Sequence, residues 1–224
     1  MKRRIQFELE LRKNPYRGKY IALEGTEAAG KTTQAKALEG YFKNQGKTVL
    51  LTHEPRKEGL IGDLVHKVLK GEVSANAVGL QYLFATDRAL HQEELVVPAL
   101  KRGEIVITDR CFWSAVVYGI LDKSEEYSKG NVDQLLVAYS ILSLYHQFIS
   151  PDYTFYLKIP LDVSIARLTN ERKQAKEIYE EENKIKKIIE GYDFLASRFA
   201  SEITIVDGTR EIEEVTKEII SKLT

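Results

Sequence analysis

Between Glu24 and Gln34 the chain reads EGTEAAGKTTQ, and inside it Gly25-x-x-x-x-Gly30-Lys31-Thr32 has the spacing that lets a backbone cradle a polyphosphate. Glycines permit dihedrals and close approaches that a Cβ would obstruct, so consecutive N–H groups can turn toward phosphate at a helix N-terminus. In such a P-loop, Gly25, Thr26, Glu27, Ala28, Ala29 and Gly30 surround the phosphates and Lys31 reaches the β and γ oxygens. Thr32 binds Mg²⁺ through its hydroxyl, and Thr33 adds an α-phosphate contact. The expected ligand is a nucleoside triphosphate. Ala28 and Ala29 carry no charge, although phosphoryl transfer relies on positioning and on cations around the moving group. Glu27 would repel phosphate unless it points away, so it is expected to face an acceptor, through a hydroxyl or through an arginine bound to that acceptor.

Four further stretches carry groups suited to a second anion. In HEPRKEGLIG, the residues Glu54, Arg56 and Lys57 follow an apolar run. Phe84 and Arg88, four apart, share one helix face, where an aromatic plane beside a guanidinium can stack on a base and bond its edge. The plainer reading of that pair is a core Phe beside a surface Arg. Asp109 ends another apolar run and suits Mg²⁺ through water, while Arg110 beside it can clamp a phosphate bidentately. Ser114 and Tyr118 are again four apart on the segment that follows. The last stretch is the basic set Arg167, Arg172, Lys173 and Lys176 around the polar segment Asn170 to Lys187. A lid carrying these cations would supply the missing charge and exclude water, whereas on composition alone the segment reads as a solvated helix face.

These groups need a frame. Five short runs rich in β-branched or aromatic residues stand out: Tyr20 to Leu23, Thr48 to Thr52, Ile105 to Thr108, Thr154 to Lys158 and Ile203 to Val206. Helix-length segments separate them, the pattern of a parallel sheet covered on both faces. Ligands of such sheets gather beyond the carboxyl ends of the strands, where Glu24-Gly25, Glu54-Pro55, Asp109-Arg110 and Asp207-Gly208 fall.

The chain has 224 residues with 33 basic and 33 acidic side chains, a formal net charge of zero. No global field draws it to nucleic acid or to an anionic membrane, so neither is an expected partner and any polyanion site must be local. The single Cys111 can form no internal disulfide, and no apolar stretch approaches the ~20 residues that span a bilayer, so a cytoplasmic setting is expected. One domain over 19–224 is expected, preceded by an extension over 1–18. Glu8 and Glu10 argue against a transit peptide there. Ile5, Phe7, Leu9 and Leu11 alternate with polar residues before Asn14-Pro15, which predicts an accessory strand pairing with a sheet edge or a partner; a loosely attached tail is the alternative.

Taken together, the ordered motifs resemble the thymidylate kinase family of nucleoside monophosphate kinases, from Lys19 to the C-terminus. They are the loop from Glu24 to Gln34, Glu54-Pro55, LFATDR from Leu83 to Arg88, Asp109-Arg110 with Ser114 and Tyr118, Pro151-Asp152, and Asp207-Gly208-Thr209. The resemblance implies a three-layer α/β P-loop kinase fold, a five-stranded parallel sheet flanked by helices, with a helical lid over about 167–187. It implies Mg²⁺-assisted transfer from ATP to dTMP by a homodimer, whose subunits could pair through the helical run around Leu135 to Leu144, although buried core is an equal reading of that run. By the same resemblance Glu27 lies near the sugar hydroxyl and the phosphate-binding arginine, Phe84 stacks on thymine, and Arg88 bonds its edge. Arg110 holds the acceptor phosphate with Lys57, Ser114, Tyr118, Glu54 and Pro55 around the acceptor, and Asp109 supports Mg²⁺ or Arg110. Asp207 and Thr209 flank the adenine, and Arg172 or Lys176 is the catalytic lid cation beside Lys31 and Arg110. The chain departs from the family pattern at Arg56-Lys57, where many bacterial members carry Gly-Gly, at Cys111, and at Gly119, where many carry Gln. Two other readings stand beside this one: a kinase for another monophosphate or a deoxynucleoside, and a nucleotide-dependent switch. Against the switch, the chain has no guanine-reading Asn-Lys-x-Asp sequence.

Overall fold

The computed structural model describes residues 8–126, 134–171 and 182–223. Each apolar run forms a strand: β1 Lys19–Glu24, β2 Val49–His53, β3 Ile105–Asp109, β4 Tyr153–Lys158 and β5 Ile203–Asp207. All pair in parallel, in the order β2-β3-β1-β4-β5. Tyr20 to Leu23 are at most 1% exposed, which is why β1 reads as an unbroken apolar run and lies at the centre of the sheet. The register aligns Leu23, Asp109 and His53 across three neighbouring strands, so their carboxyl ends open on one edge.

The helices cover both faces. Helices α1 (Lys31–Asn44) and α9 (Ile212–Ser221) place Ala35, Leu38, Val215 and Ile219 against Ile21, Leu23 and Ile107. On the opposite face, α5 (Phe112–Glu126) and α8 (Glu182–Arg198) bring Trp113, Val117, Tyr192 and Leu195 onto Ala22 and Tyr156. The resulting three layers are helix, sheet, helix, as the sequence predicts. The remaining helices are α2 (Leu60–Leu69), α3 (Ala77–His91), α4 (Val97–Arg102), α6 (Gln134–Tyr145) and α7 (Leu161–Glu171). The side chain of Asn76 caps α3 by accepting from the Gly79 N–H at 2.7 Å, and α3 continues into a π-helical turn over Gln92–Val96. Of the expected lid, 167–171 closes α7 and 182–187 opens α8; the stretch between lies outside the described residues.

The predicted accessory strand lies partly outside the described residues. Residues 5–7 lie outside the described residues and 8–11 make no strand pairing; one parallel bridge joins Arg12 to Ile149, ahead of β4. Leu9 and Leu11 pack, partly buried, against the larger core, so at these two positions the apolar side chains dock on the domain. Among the described residues no helix is long and apolar enough to cross a membrane.

Candidate active site

The loop between β1 and α1 folds tightly over the sheet edge. Gly25 has φ 146°, and a Cβ on it would stand 2.8 Å from the Leu157 carbonyl oxygen, so this position requires glycine. Lys31 lays its ammonium across the loop, donating to the carbonyls of Gly25 at 3.1 Å and Thr26 at 2.8 Å. Burial, and then the charge of Arg110, push its pKa down. From α7, Ser164 donates to the Glu27 carbonyl at 2.9 Å, and Arg167 donates to the Ala28 carbonyl at 3.3 Å and the Gly208 carbonyl at 3.1 Å. The sequence groups Arg167 with the lid cations; the structure instead commits its guanidinium to tying the P-loop to the turn after β5. In that turn Asp207 accepts from the Thr209 N–H at 2.9 Å and hydroxyl at 2.6 Å, and these bonds hold its carboxyl below the usual range.

Arg110 emerges from β3 with φ 73°, a left-handed conformation that costs a non-glycine residue ~1–2 kcal/mol and that its contacts hold in place. Its Nη2 donates to Glu27 at 2.7 Å, and its Nη1 lies within bonding distance of the Gly25 carbonyl at 3.2 Å, Ser114 Oγ at 3.1 Å and the Tyr192 hydroxyl at 3.2 Å. Tyr118 donates to the same Glu27 oxygen at 2.7 Å. Burial would raise the Glu27 pKa, but Arg110 and then Lys31 outweigh it and hold the carboxyl at about 2. Glu27 thus turns from the phosphate side to an arginine and a hydroxyl. Beneath this cluster, Glu24 accepts from the Cys111 N–H at 2.8 Å, the Ser114 N–H at 3.1 Å, the Ser114 hydroxyl at 2.6 Å and the Tyr192 hydroxyl at 2.7 Å. A carboxylate at the start of α5 satisfies N–H groups that the helix itself leaves open.

Phe84 and Arg88 face one cavity of about 520 Å³, together with Arg110, Tyr118, Lys57 and Pro55. Arg88 is only 5% exposed; its Nε donates to Glu54 at 2.5 Å, and its guanidinium lies 4.6 Å over the Tyr145 ring. Its Nη1 is buried and has no hydrogen-bond partner among the described residues. Burial opposes ionisation of Glu54, but the charge of Arg88 and the bond from His91 bring its pKa down. Arg56 turns away from the cavity: its backbone N–H and Nε bond to Asp87 at 2.9 and 3.1 Å, and its Nη1 reaches Glu94 at 2.7 Å. The guanidinium of Arg56 therefore braces the loop after β2.

On the donor side of the cavity, the Thr32 hydroxyl and the Asp109 carboxylate also line the wall and are hydrogen-bonded at 2.5 Å. One hydroxyl and one carboxylate, with no group of three or more His, Cys, Asp or Glu among the described residues, form a sparse oxygen set. Such a set fits Mg²⁺, which keeps several waters and takes its remaining ligands from phosphate.

The structure therefore brings together Glu27, Lys57, Phe84, Arg88, Asp109, Arg110, Ser114 and Tyr118. Asp207 and Thr209 do not line that cavity; they lie in the turn after β5 that Arg167 ties to the P-loop. Arg172, Lys173 and Lys176 lie outside the described residues. Sequence reasoning missed the supporting roles of Glu24, Asp87, His91 and Tyr192. For Glu24 a signal existed, an acid ending an apolar strand as Asp109 does; Tyr192 sits 168 residues from the carboxylate it bonds, and no local pattern reveals that.

A family profile described as Thymidylate kinase matches residues 23–219. The chain is 32% identical over 208 residues to the thymidylate kinase of a Sulfurihydrogenibium species, covering 92% of this chain and 97% of that protein. It is 33% identical over 214 residues to a probable thymidylate kinase of Thermococcus kodakarensis, covering 90% and 95%. Among solved structures, a thymidylate kinase from Candida albicans superimposes with a TM-score of 0.75 at 23% identity, covering 91% of this chain and 90% of that one. That last likeness concerns the fold.

Proposed function

The chain belongs to the thymidylate kinase family and has phosphotransfer activity of that type, and from this premise we propose that it transfers the γ-phosphoryl of ATP in line onto the phosphate of dTMP, giving dTDP. One observation carries the choice of acceptor. Arg88, whose buried Nη1 has no hydrogen-bond partner among the described residues, lines the same cavity as Phe84 and Arg110. A guanidinium beside an aromatic ring in a cavity wall suits an acceptor on the ligand, and the O4 edge of a pyrimidine stacked on Phe84 supplies one.

In this reading Arg110 holds the acceptor phosphate, and Glu27 with Tyr118 orients the guanidinium toward it. Lys31 shifts from its two loop carbonyls to the phosphates of ATP, and Lys57 gives the acceptor phosphate a second cation. Thr32 and Asp109 would hold Mg²⁺, which when bound neutralises charge on the transferring phosphates. No side chain need become phosphorylated. The further cation is assigned to Arg172 or Lys176, and the adenine to the turn at Asp207 and Thr209.

Turnover of dTMP with ATP and Mg²⁺, compared with dCMP, dGMP and thymidine in a coupled assay, tests the proposal. Equal rates on dTMP and dCMP would transfer the assignment to another monophosphate kinase, a reading that Cys111 and Gly119 favour by departing from the family pattern. We also propose a homodimer. Leu136 on α6 and Tyr82 on the adjoining α3 are 64% and 59% exposed, which supports apolar pairing of two copies; a monomeric mass in solution would reject it.

A further inference from the structure

Ala28, inside the P-loop, has φ 55°. A left-handed conformation is unfavourable for any residue with a Cβ and lasts only where the surroundings hold it. Two hydrogen bonds from α7 do so. The φ of Ala28 turns the peptide group that carries the Glu27 carbonyl, and Ser164 donates to that carbonyl at 2.9 Å. Its ψ turns the next peptide group, whose carbonyl accepts from Arg167 at 3.3 Å. Ser164 is fully buried in the first turn of α7, the helix that follows the strand paired with β1. In a trans peptide the N–H points opposite to the carbonyl before it, so with the Glu27 carbonyl on Ser164 the Ala28 N–H faces away from α7. That N–H meets no acceptor among the described residues, whereas the Ala29 N–H turns back to the Thr26 carbonyl at 3.4 Å. The helix that follows starts from Gly30 without a side-chain cap, so its first N–H groups are open too.

We infer that Ser164 is a positioning residue for the donor phosphates: by holding the Glu27 carbonyl it keeps Ala28 left-handed and the Ala28 N–H turned outward to a phosphate oxygen. A left-handed residue in such a loop helps to form a concave nest of N–H groups that suits an anion. Without the Ser164 hydroxyl the peptide between Glu27 and Ala28 can rotate toward the right-handed region, and binding a phosphate must first restore the strained form. Glu27 is gripped at its other end as well, where its carboxylate meets Arg110 and Tyr118. Its backbone thus answers to α7 and its side chain to the acceptor cluster. The inference rests on the reading of the P-loop as the ATP site, and it adds a residue that acts on the phosphates only through the backbone of two others.

Calorimetric titration of ATP with Mg²⁺, and separately of dTMP, into wild type, Ser164→Ala, Ala28→Gly and the double variant tests it. Ser164→Ala is expected to weaken ATP binding about 5-fold, the scale of one neutral hydrogen bond, and to leave dTMP affinity within about two-fold. Glycine takes positive φ as readily as negative, so in the Ala28→Gly background the same substitution should cost ATP no more than about two-fold. An unchanged ATP affinity in folded Ser164→Ala, a loss of equal size in both backgrounds, or an equal loss for dTMP overturns the role. The backbone amide resonance of Ala28 in ¹H–¹⁵N spectra of wild-type protein gives a second readout that needs no variant. It shifts on saturation with ATP if the role is right, and an Ala28 amide that stays still while those of Lys31 and Thr32 move rejects it. Wild-type protein that binds no ATP overturns it as well. Should wild type bind ATP yet leave dTMP unphosphorylated, the acceptor proposed above falls, while the ATP affinities still decide the role of Ser164.

Discussion

Arg110 Nη2 stands 2.7 Å from Glu27 Oε1, and the Tyr118 hydroxyl donates to that same oxygen at 2.7 Å. An acid inside the P-loop is therefore tied to an arginine from the end of β3, and its charge is compensated within the chain itself. The pairing fixes the rotamer of an arginine whose backbone is already in an unusual conformation.

The pairing makes stability depend on pH. Glu27 is held at about 2 in the folded chain, below the ~4.3 of a free glutamate. A depressed carboxyl contributes stability that is fully present above the unfolded pKa and is lost as pH falls through the folded one. The stability gap between wild type and Glu27→Gln should be flat above about pH 5 and shrink between about pH 4.5 and 2. Urea unfolding at a series of pH values measures it, and a gap that does not change below pH ~4 contradicts the shift.

Arg110→Ala should lower kcat/KM for dTMP by about 10²- to 10³-fold, the cost of removing a preorganised cation from a developing charge. Arg110→Lys should recover little, because an ammonium cannot bond Glu27, Ser114 and a phosphate in one plane. Circular dichroism controls for the fold, and near-wild-type turnover in Arg110→Ala would remove the residue from the mechanism.

The Thr32–Asp109 contact predicts a metal phenotype separable from the acceptor phenotype. Asp109→Asn should raise the Mg²⁺ concentration needed for half-maximal rate by about 10- to 100-fold while leaving KM for dTMP nearly unchanged. Titrating Mg²⁺ at saturating ATP and dTMP checks this; an altered dTMP KM with a normal Mg²⁺ curve would place Asp109 with Arg110 instead.

Gly119 is a packing requirement. A Cβ there would stand 2.2 Å from Ile141 Cδ1 and 3.0 Å from Gln81 Nε2. Because a terminal methyl can rotate aside, Gly119→Ala should cost about 1 kcal/mol rather than the full range seen for overpacked cores. Ile141→Val, which removes that methyl, should be less harmful in Gly119→Ala than in wild type, a coupling that denaturant melts of the four chains can resolve. Additive losses would mean that the contact at Ile141 is not the cause.

The strands and the phosphate loop were legible because each rests on local patterning: buried β-branched runs, and glycines that only a tight turn explains. Phe84 and Arg88 were legible for a similar reason, since four residues on a helix bring side chains to one face. The supports beneath them were not. His91 bonds Glu54, 37 residues away, and Thr52, 39 residues away, contacts that exist only once α3 and β2 have packed. Arg167 shows the opposite limit: a basic residue at the edge of a polar segment reads as a lid cation, yet two backbone carbonyls hold it. Charge in a sequence announces affinity for an anion or a carbonyl alike, and only the fold chooses between them.

The alignment of Leu23 with Asp109 on adjacent strands determines more than where a cleft opens. Gly25, which opens the P-loop, lies two residues after Leu23 and Arg110 follows Asp109 directly, so the backbone ladder sets the spacing between Arg110 and the P-loop. Neighbouring strands lie ~4.8 Å apart, and a slip of one residue would flip every side chain of β3 to the other face. Under the proposed function, substitutions lining the cavity can therefore change which acceptor is chosen while that spacing stays fixed.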